Sequence, residues 1–147
     1  MRIVNKTAPR DFAVEQKIEA GIVLLGQEVK AVKLGHADLT GSYVKIIGNE
    51  AFLVNARIFP YVFARTEGYQ ETRTRKLLLH KKQLLSLKNK LSEGKHTLVG
   101  LALYETKSGL IKVEIGLAKG KKQADKRLDL KKRTLEREAE IEFKNYT

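Results

Sequence analysis

Three groups of residues in this 147-residue chain have types and spacings that could do chemistry, and their chemistry is cationic or aromatic. Arg73-Thr-Arg-Lys76 sets two guanidinium forks and an ammonium directly before Leu77-Leu-Leu79. A guanidinium presents paired N–H donors that match a phosphate, so cations held on an apolar anchor suit phosphate contacts. The second group is the run from Gly116 to Arg133. It opens like the end of a buried strand and within four residues becomes dense positive charge. Such charge cannot sit in a core, because each ammonium would lose its hydration, so it faces water or a polyanion. The third group is aromatic. Tyr43, Phe59, Tyr61, Phe63, Tyr69 and Tyr104 carry faces on which unpaired bases can stack. Tyr43 and Tyr104 read as core packing, whereas Tyr61, Phe63 and Tyr69 fall in a polar segment and are the stacking candidates.

Catalytic constellations are missing by comparison. His36, His80 and His96 are far apart with no ligand spacing, and the chain has no cysteine, so neither a metal centre nor a thiol nucleophile is expected. Glu15 and Glu19 share a face whether their segment is strand or helix, and as a pair they read as solvated. Glu19 among so many cations can accept hydrogen bonds from base or ribose, or can be structural. Gly116-Leu-Ala-Lys-Gly-Lys-Lys122 lacks the spacing of a phosphate-binding loop and leads into a polar tail. No catalytic residue, metal or cofactor is expected.

The net charge of +12 points to an anionic partner, and its distribution sharpens this. Arg73–Lys95 holds eight Lys/Arg against one acid, and Lys119–Arg133 holds eight against two; the remainder is near neutral. No apolar stretch approaches the roughly 18 residues that would span a bilayer. Met1-Arg-Ile-Val-Asn5 lacks the apolar centre of a secretion signal, and the absence of cysteine fits a reducing cytoplasm.

The elements that must position these groups follow from pattern. Phe12–Ala20 reads as a strand ending at Gly21, and Ile22, Leu25, Val29 and Val32 fall at helical spacing over Gly21–Leu34, with Gly35 as a stop. Ser42–Ile47 and Ala51–Ile58 flank Gly48-Asn49 as a hairpin closed off by Pro60. Tyr61–Thr74 reads as a long loop, a common seat of function. A helix is expected over about His80–Ser92, with Leu84, Leu85, Leu87 and Leu91 on one side. His96–Tyr104 and Leu110–Leu117 flank Lys107-Ser-Gly109 as a second hairpin. The fold class is mainly β with accessory helices: an oligonucleotide-binding-like antiparallel barrel. Residues 1–119 form its RNA-binding domain. Residues 120–147 form a basic C-terminal tail with a sparse apolar stripe, expected to be disordered when free and to fold on a partner.

Five segments in order carry a resemblance: Glu19-Ala-Gly-Ile-Val-Leu-Leu-Gly-Gln-Glu-Val-Lys30, Ser42-Tyr43, Thr72-Arg-Thr-Arg-Lys-Leu-Leu-Leu-His80, Lys112-Val-Glu-Ile-Gly-Leu-Ala-Lys-Gly-Lys-Lys122 and Asp125-Lys-Arg127. From about Asn5 onward the chain resembles the small protein B family, the SsrA-binding or tmRNA-binding proteins of bacteria. The resemblance implies a six-stranded barrel, no enzymatic activity, and binding to the tRNA-like domain of transfer-messenger RNA. It implies delivery of that RNA to stalled ribosomes for trans-translation. There the tail enters the empty messenger channel near the decoding centre of the small subunit and becomes helical. Elongation factor Tu is implied in the delivery complex, and the protein itself is expected as a monomer with no membrane partner. The family's RNA-contact positions match Glu19, Leu78 and Lys112, to which the residue chemistry adds Arg73, Arg75 and Lys76. The ribosome-contacting tail set is Lys119, Lys121, Lys122, Asp125, Lys126, Arg127, Lys131, Lys132 and Arg133. Ala8-Pro-Arg-Asp-Phe12 and Ala124 depart from the family pattern.

Overall fold

The computed structural model describes residues 1–121. Along the chain run β1 (Arg2–Val4), α1 (Ala8–Asp11), β2 (Phe12–Ile22), α2 (Gly26–Lys33), β3 (Ala37–Asp38) and β4 (Tyr43–Ile47). They are followed by β5 (Glu50–Val54), β6 (Arg57–Ile58), β7 (Arg75–Leu78), α3 (Lys81–Ser92), β8 (Thr97–Glu105) and β9 (Ile111–Gly120). Strands pair antiparallel in the order β8-β4-β5-β7-β2-β9, and β9 returns to β8, which closes a ring of six. Closure removes the exposed sheet edges that would otherwise invite pairing with other chains. β1 adds to the outer side of β8, and β3 pairs with β6 in a separate ribbon.

Both hairpins form as their turn residues indicate, and α3 lies where the leucine spacing puts it. Two boundaries and one helix face differ. The segment after Gly21 stays extended through Ile22, with the Val23 amide bonded to the Lys76 carbonyl at 2.9 Å, so α2 begins only at Gly26. The strand expected to run to Ile58 breaks at Asn55, which takes φ 62°, and Arg57–Ile58 turns away to join β3. On α3, Leu87 is buried but Leu85 points into solvent, so the leucine side is narrower than its sequence suggests.

Two bulges divide the interior. The β2–β9 register shifts between Val14 and Gln16, and the β8–β9 register shifts between Gly100 and Ala102. An extra residue reverses which face the following side chains occupy. Leu98 and Leu103, an odd number apart, therefore both enter the barrel core with Ile18, Val113, Ile115 and Leu117. Val99 and Leu101 face outward and form a second small core with Ala8 and Ala118, covered by Phe12 and Val14. Gly116 makes this possible: a Cβ there would stand 2.8 Å from Leu101 Cδ1. Asn5 locks the junction. Its amide donates to the Leu39 and Gly100 carbonyls at 3.0 and 2.8 Å, and its Oδ1 accepts from the Thr7 and Ala8 amides.

A buried ion cluster joins α2 to β7. Glu28 and Arg75 are both fully enclosed, with side-chain exposure of 0%. Glu28 Oε1 accepts from the Leu25 amide at 2.8 Å and from Arg73 Nη2 at 2.6 Å. Its Oε2 accepts from Arg75 Nε at 2.7 Å and lies 2.6 Å from Arg75 Nη2. Arg75 gives its remaining donors to the carbonyls of Ala56, Arg73 and Glu71 at 2.8–3.0 Å. A buried charge is tolerated only with such complete pairing. Burial pushes the Glu28 carboxyl up, but the bonds from Arg73, the Leu25 amide and Arg75 outweigh it and hold it below its ordinary 4.5.

Because the folded pKa lies below the unfolded one, this stabilisation is present above the unfolded value and is lost as pH falls through the folded value. Glu28→Gln should cost roughly 3–5 kcal/mol in denaturant unfolding at neutral pH, since two guanidinium groups lose their counter-charge. Repeating the titrations at descending pH should bring the two proteins together only as pH falls through the lowered value of the Glu28 carboxyl, where the wild-type group protonates in the folded state. A constant difference across that range would remove Glu28 from the acid response.

Candidate nucleic-acid interface

Strand parity decides which residues of β7 face solvent. Leu77 belongs to the core, so Arg75 points inward with it, while Lys76 and Leu78 point outward. The Arg73-Thr-Arg-Lys76 segment is therefore not a set of mobile cations on an apolar anchor. Arg75 is enclosed and Arg73, a third exposed, is tied to Glu28, so these guanidinium groups serve the fold; Lys76 is the most exposed of the three, 3.9 Å from Glu50. The anchor differs too, because Leu78 is 54% exposed.

That outward Leu78 opens a row across five strands. Leu78 of β7 stands opposite Gly21 of β2, Gly21 opposite Lys112 of β9, Lys112 opposite Tyr104 of β8, and Tyr104 opposite Arg2 of β1. Glu19 lies two residues before Gly21 on the same face of β2, opposite Glu114. Glu19, Gly21, Leu78, Leu79, His80, Gln83 and Lys112 line a shallow depression of about 430 Å³. The three positions matched through family resemblance, Glu19, Leu78 and Lys112, thus converge on one surface. Gly21 shapes it, since a Cβ there would press Leu78 Cβ at 3.1 Å. With no side chain between them, Leu78 lies flat beside bare backbone.

Tyr104 is not the core residue its sequence position suggests. Its hydroxyl donates to Glu19 Oε2, and the Arg2 guanidinium lies 5.2 Å from its ring centre. Arg2 is in turn 3.4 Å from Glu114. Partial burial, then the hydrogen bond to Glu19 and the nearby Glu19 and Glu114 charges, push the phenol up to about 12. The hydroxyl therefore stays a donor at neutral pH and fixes one oxygen of Glu19, leaving the other to accept from a ligand. Lys112 makes no ion pair among the described residues and is available to a phosphate. The row offers an apolar platform, a cation and an oriented acceptor, the groups that hold folded RNA by backbone, base edge and 2′-hydroxyl. Sequence reasoning missed the roles of Tyr104 and Arg2; the antiparallel register of the second hairpin carries the signal for Tyr104, and the pairing of β1 with β8 places Arg2.

The second basic run begins inside the barrel. β9 continues through Gly120, so Lys119 is a strand residue, 3.3 Å from Glu15, which also meets His96 Nε2 at 2.7 Å. The His96 bond, ahead of partial burial that opposes it and the Lys119 contacts that reinforce it, lowers the Glu15 carboxyl below its ordinary range. Lys121 closes against α1, its amide bonded to Asp11 and its ammonium to Pro9. The remaining tail assignments, Lys122, Asp125, Lys126, Arg127, Lys131, Lys132 and Arg133, lie outside the described residues. Among the described residues, no group of three or more His, Asp or Glu could hold a metal ion, and no helix is long and apolar enough to cross a membrane. Of the loop aromatics, Tyr69 is committed to the fold, its hydroxyl donating to the Ile58 carbonyl at 2.8 Å.

A closed antiparallel ring with such a row across its outer face defines a class, the small barrels of oligonucleotide-binding type. The family model described as SmpB protein matches residues 2–145, and the chain belongs to that family. It is 49% identical to the SsrA-binding protein of Pelobacter propionicus over 91% of this chain and 88% of that one. It is 47% identical to the SsrA-binding protein of Geotalea uraniireducens, over 95% and 92%. A solved structure described as "tmRNA-SmpB: a journey to the center of the bacterial ribosome" matches with TM-score 0.70 and 39% identity, over 83% of this chain and 85% of that one.

The Tyr104–Glu19 contact is testable by itself. In Glu19→Gln the Tyr104 phenol should titrate measurably below about 12, because the adjacent carboxylate charge is gone. Residue-resolved NMR titration of the tyrosine ring carbons reads this directly, and an unmoved Tyr104 would break the link between the two side chains.

Proposed function

We propose that this protein binds the tRNA-like domain of transfer-messenger RNA and delivers it to stalled bacterial ribosomes for trans-translation. The observation that carries this is the convergence of Glu19, Leu78 and Lys112 on one outward surface, in a chain of the SmpB family. In this reading Lys112 contacts phosphate, Leu78 packs against a sugar or base face, and Glu19, oriented by Tyr104, accepts from base or ribose. Lys76 and the outward lysines of α3 add longer-range attraction. The part played by the protein is binding and presentation, without catalysis, and it acts where ribosomes are, in the cytoplasm. The monomer is the working unit, with elongation factor Tu in the delivery complex.

The division of labour falls at Lys121. The barrel holds the carried RNA. The basic tail beyond it enters the empty messenger channel near the decoding centre and becomes helical against ribosomal RNA. Mutual repulsion among Lys122, Lys126, Arg127, Lys131, Lys132 and Arg133 opposes a compact tail until phosphate neutralises them. Ordering about 20 residues costs on the order of 20 kcal/mol of backbone entropy, so the helix forms only where dense phosphate and packing offset it. An occupied channel withholds both, and this makes the tail a sensor of missing messenger.

Lys112→Ala should weaken binding to transfer-messenger RNA and reduce the slope of log K against log salt by about 1, as for one lost phosphate contact. An unchanged affinity and slope would remove Lys112 from the interface. A chain ending at Lys121 keeps the contacts to Pro9 and Asp11 that close β9. It should retain most RNA affinity and lose peptide tagging on stalled ribosomes in a purified translation system. Tagging that survives the truncation would overturn the tail's role.

A further inference from the structure

The loop after β6 contains a feature that the Glu19–Leu78–Lys112 row does not use. Val62 and Phe63 are 75% and 85% exposed, the two most exposed large apolar side chains among the described residues. They occupy the corner of a turn in which the Ala64 amide donates to the Tyr61 carbonyl at 3.0 Å, so the backbone aims both side chains outward.

The loop beneath this tip is firmly seated. Tyr61 packs against the main core and meets the Phe63 ring edge-on, with centroids 5.5 Å apart and planes at 69°. The Phe59 amide donates to His36 and the Ile58 amide to Glu71, both at 3.0 Å, and Tyr69 bonds back to Ile58. Below them, Arg75 binds the carbonyls of Ala56 and Glu71, near either end of the loop. An aromatic ring held out on so tied a base does not reflect a slack segment.

Charge and size choose among occupants. Lys30 lies 5.5 Å from the Tyr61 ring centre, and neither it nor Arg65 has an ion-pair partner among the described residues. Of the loop's two acids, Glu67 is exposed and Glu71 is held by Arg57 at 3.5 Å. A second copy of this chain docking tip to tip would oppose like cations. A stable protein interface needs about 800 Å² from each partner, which two side chains cannot supply. A single base matches the area of one phenyl face, and its phosphates match Lys30 and Arg65.

We propose that the Val62–Phe63 tip is a stacking platform for one unpaired nucleobase, an RNA contact that shares no residue with the Glu19–Leu78–Lys112 row. It rests on the RNA-binding reading above. The base belongs either to the carried RNA or to ribosomal RNA, which present the same chemistry.

The chain contains no tryptophan, so Phe63→Trp in the full-length protein introduces a single fluorescent reporter at the tip. It is titrated with transfer-messenger RNA in one arm and with protein-free small-subunit ribosomal RNA in the other, neither of which contains tryptophan, while end-labelled RNA reports binding independently. Strong quenching that follows binding in either arm is expected, and the arm names the source of the base. In the quenching arm, Phe63→Ala should lower affinity by between about 5-fold and 100-fold, the range for one lost base–aromatic stack. Binding in both arms without quenching overturns the platform and leaves the function standing. A blue shift that grows with protein concentration in the absence of RNA assigns the tip to self-association and also overturns it. Failure of the wild-type protein to bind either RNA would overturn the function and this inference together.

Discussion

Glu28 sits where α2, β7 and the root of the long loop meet, and its two oxygens take donors from all three. Oε1 caps α2 through the Leu25 amide and holds Arg73, while Oε2 holds Arg75. A buried ion pair is a poor source of net stability, because desolvation cancels most of the attraction and apolar residues of similar volume often do as well. Its consequence here is geometrical. Arg75 spends its donors on Glu28 and on three carbonyls, so only a guanidinium at this position completes the set. A one-residue slip of β7 would bring Lys76 or Thr74 inward, and neither can present five donors in a plane.

Fixing Arg75 inward fixes Leu78 outward, three residues on in the same strand. The inner cluster and the outer row are thus two faces of one register. Leu78 is aligned with Gly21, Gly21 with Lys112, and Lys112 with Tyr104, each by a backbone pairing and not by a side-chain contact. A surface assembled this way is as rigid as the barrel that carries it. Rigidity matters for a ligand such as folded RNA, which is recognised through its shape and backbone spacing.

The sequence pattern conveyed the skeleton well. Gly48-Asn49 and Lys107-Ser-Gly109 marked both hairpins, and leucine spacing marked α3, because turn chemistry and helical period are local properties. The site was legible only in part. Leu78 and Lys112 came from family resemblance, since nothing in their types sets them apart from neighbouring residues; Glu19 stood out as an acid among cations, and the resemblance alone gave it a role. Arg75 was misplaced because composition labels every arginine as surface, although the parity of Leu77 already placed it inside. Tyr104 looked like core because bulges are invisible to an alternation count: one extra residue near Leu101 exchanges inner and outer faces along β8. Such features depend on which strand lies alongside, and a single chain of letters does not state that.

The buried pairings also change what the net charge means. Two of the arginines that made the first basic block conspicuous are consumed by Glu28, and Lys119 and Lys121 close the barrel end against Glu15 and α1. Within the row itself, Arg2 is paired with Glu114, and Lys112 has no ion-pair partner among the described residues. Recognition at the row, as proposed, would rest on one available cation, one oriented carboxylate and one apolar side chain, with diffuse attraction from α3 behind them. Diffuse charge accelerates encounter and binds any polyanion, whereas placed groups discriminate. The proposed row is the second kind of surface. Beyond Lys121 the sequence up to Arg133 adds six Lys/Arg against two Asp, and there the proposed partner is a channel of phosphate, for which bulk attraction is the useful property.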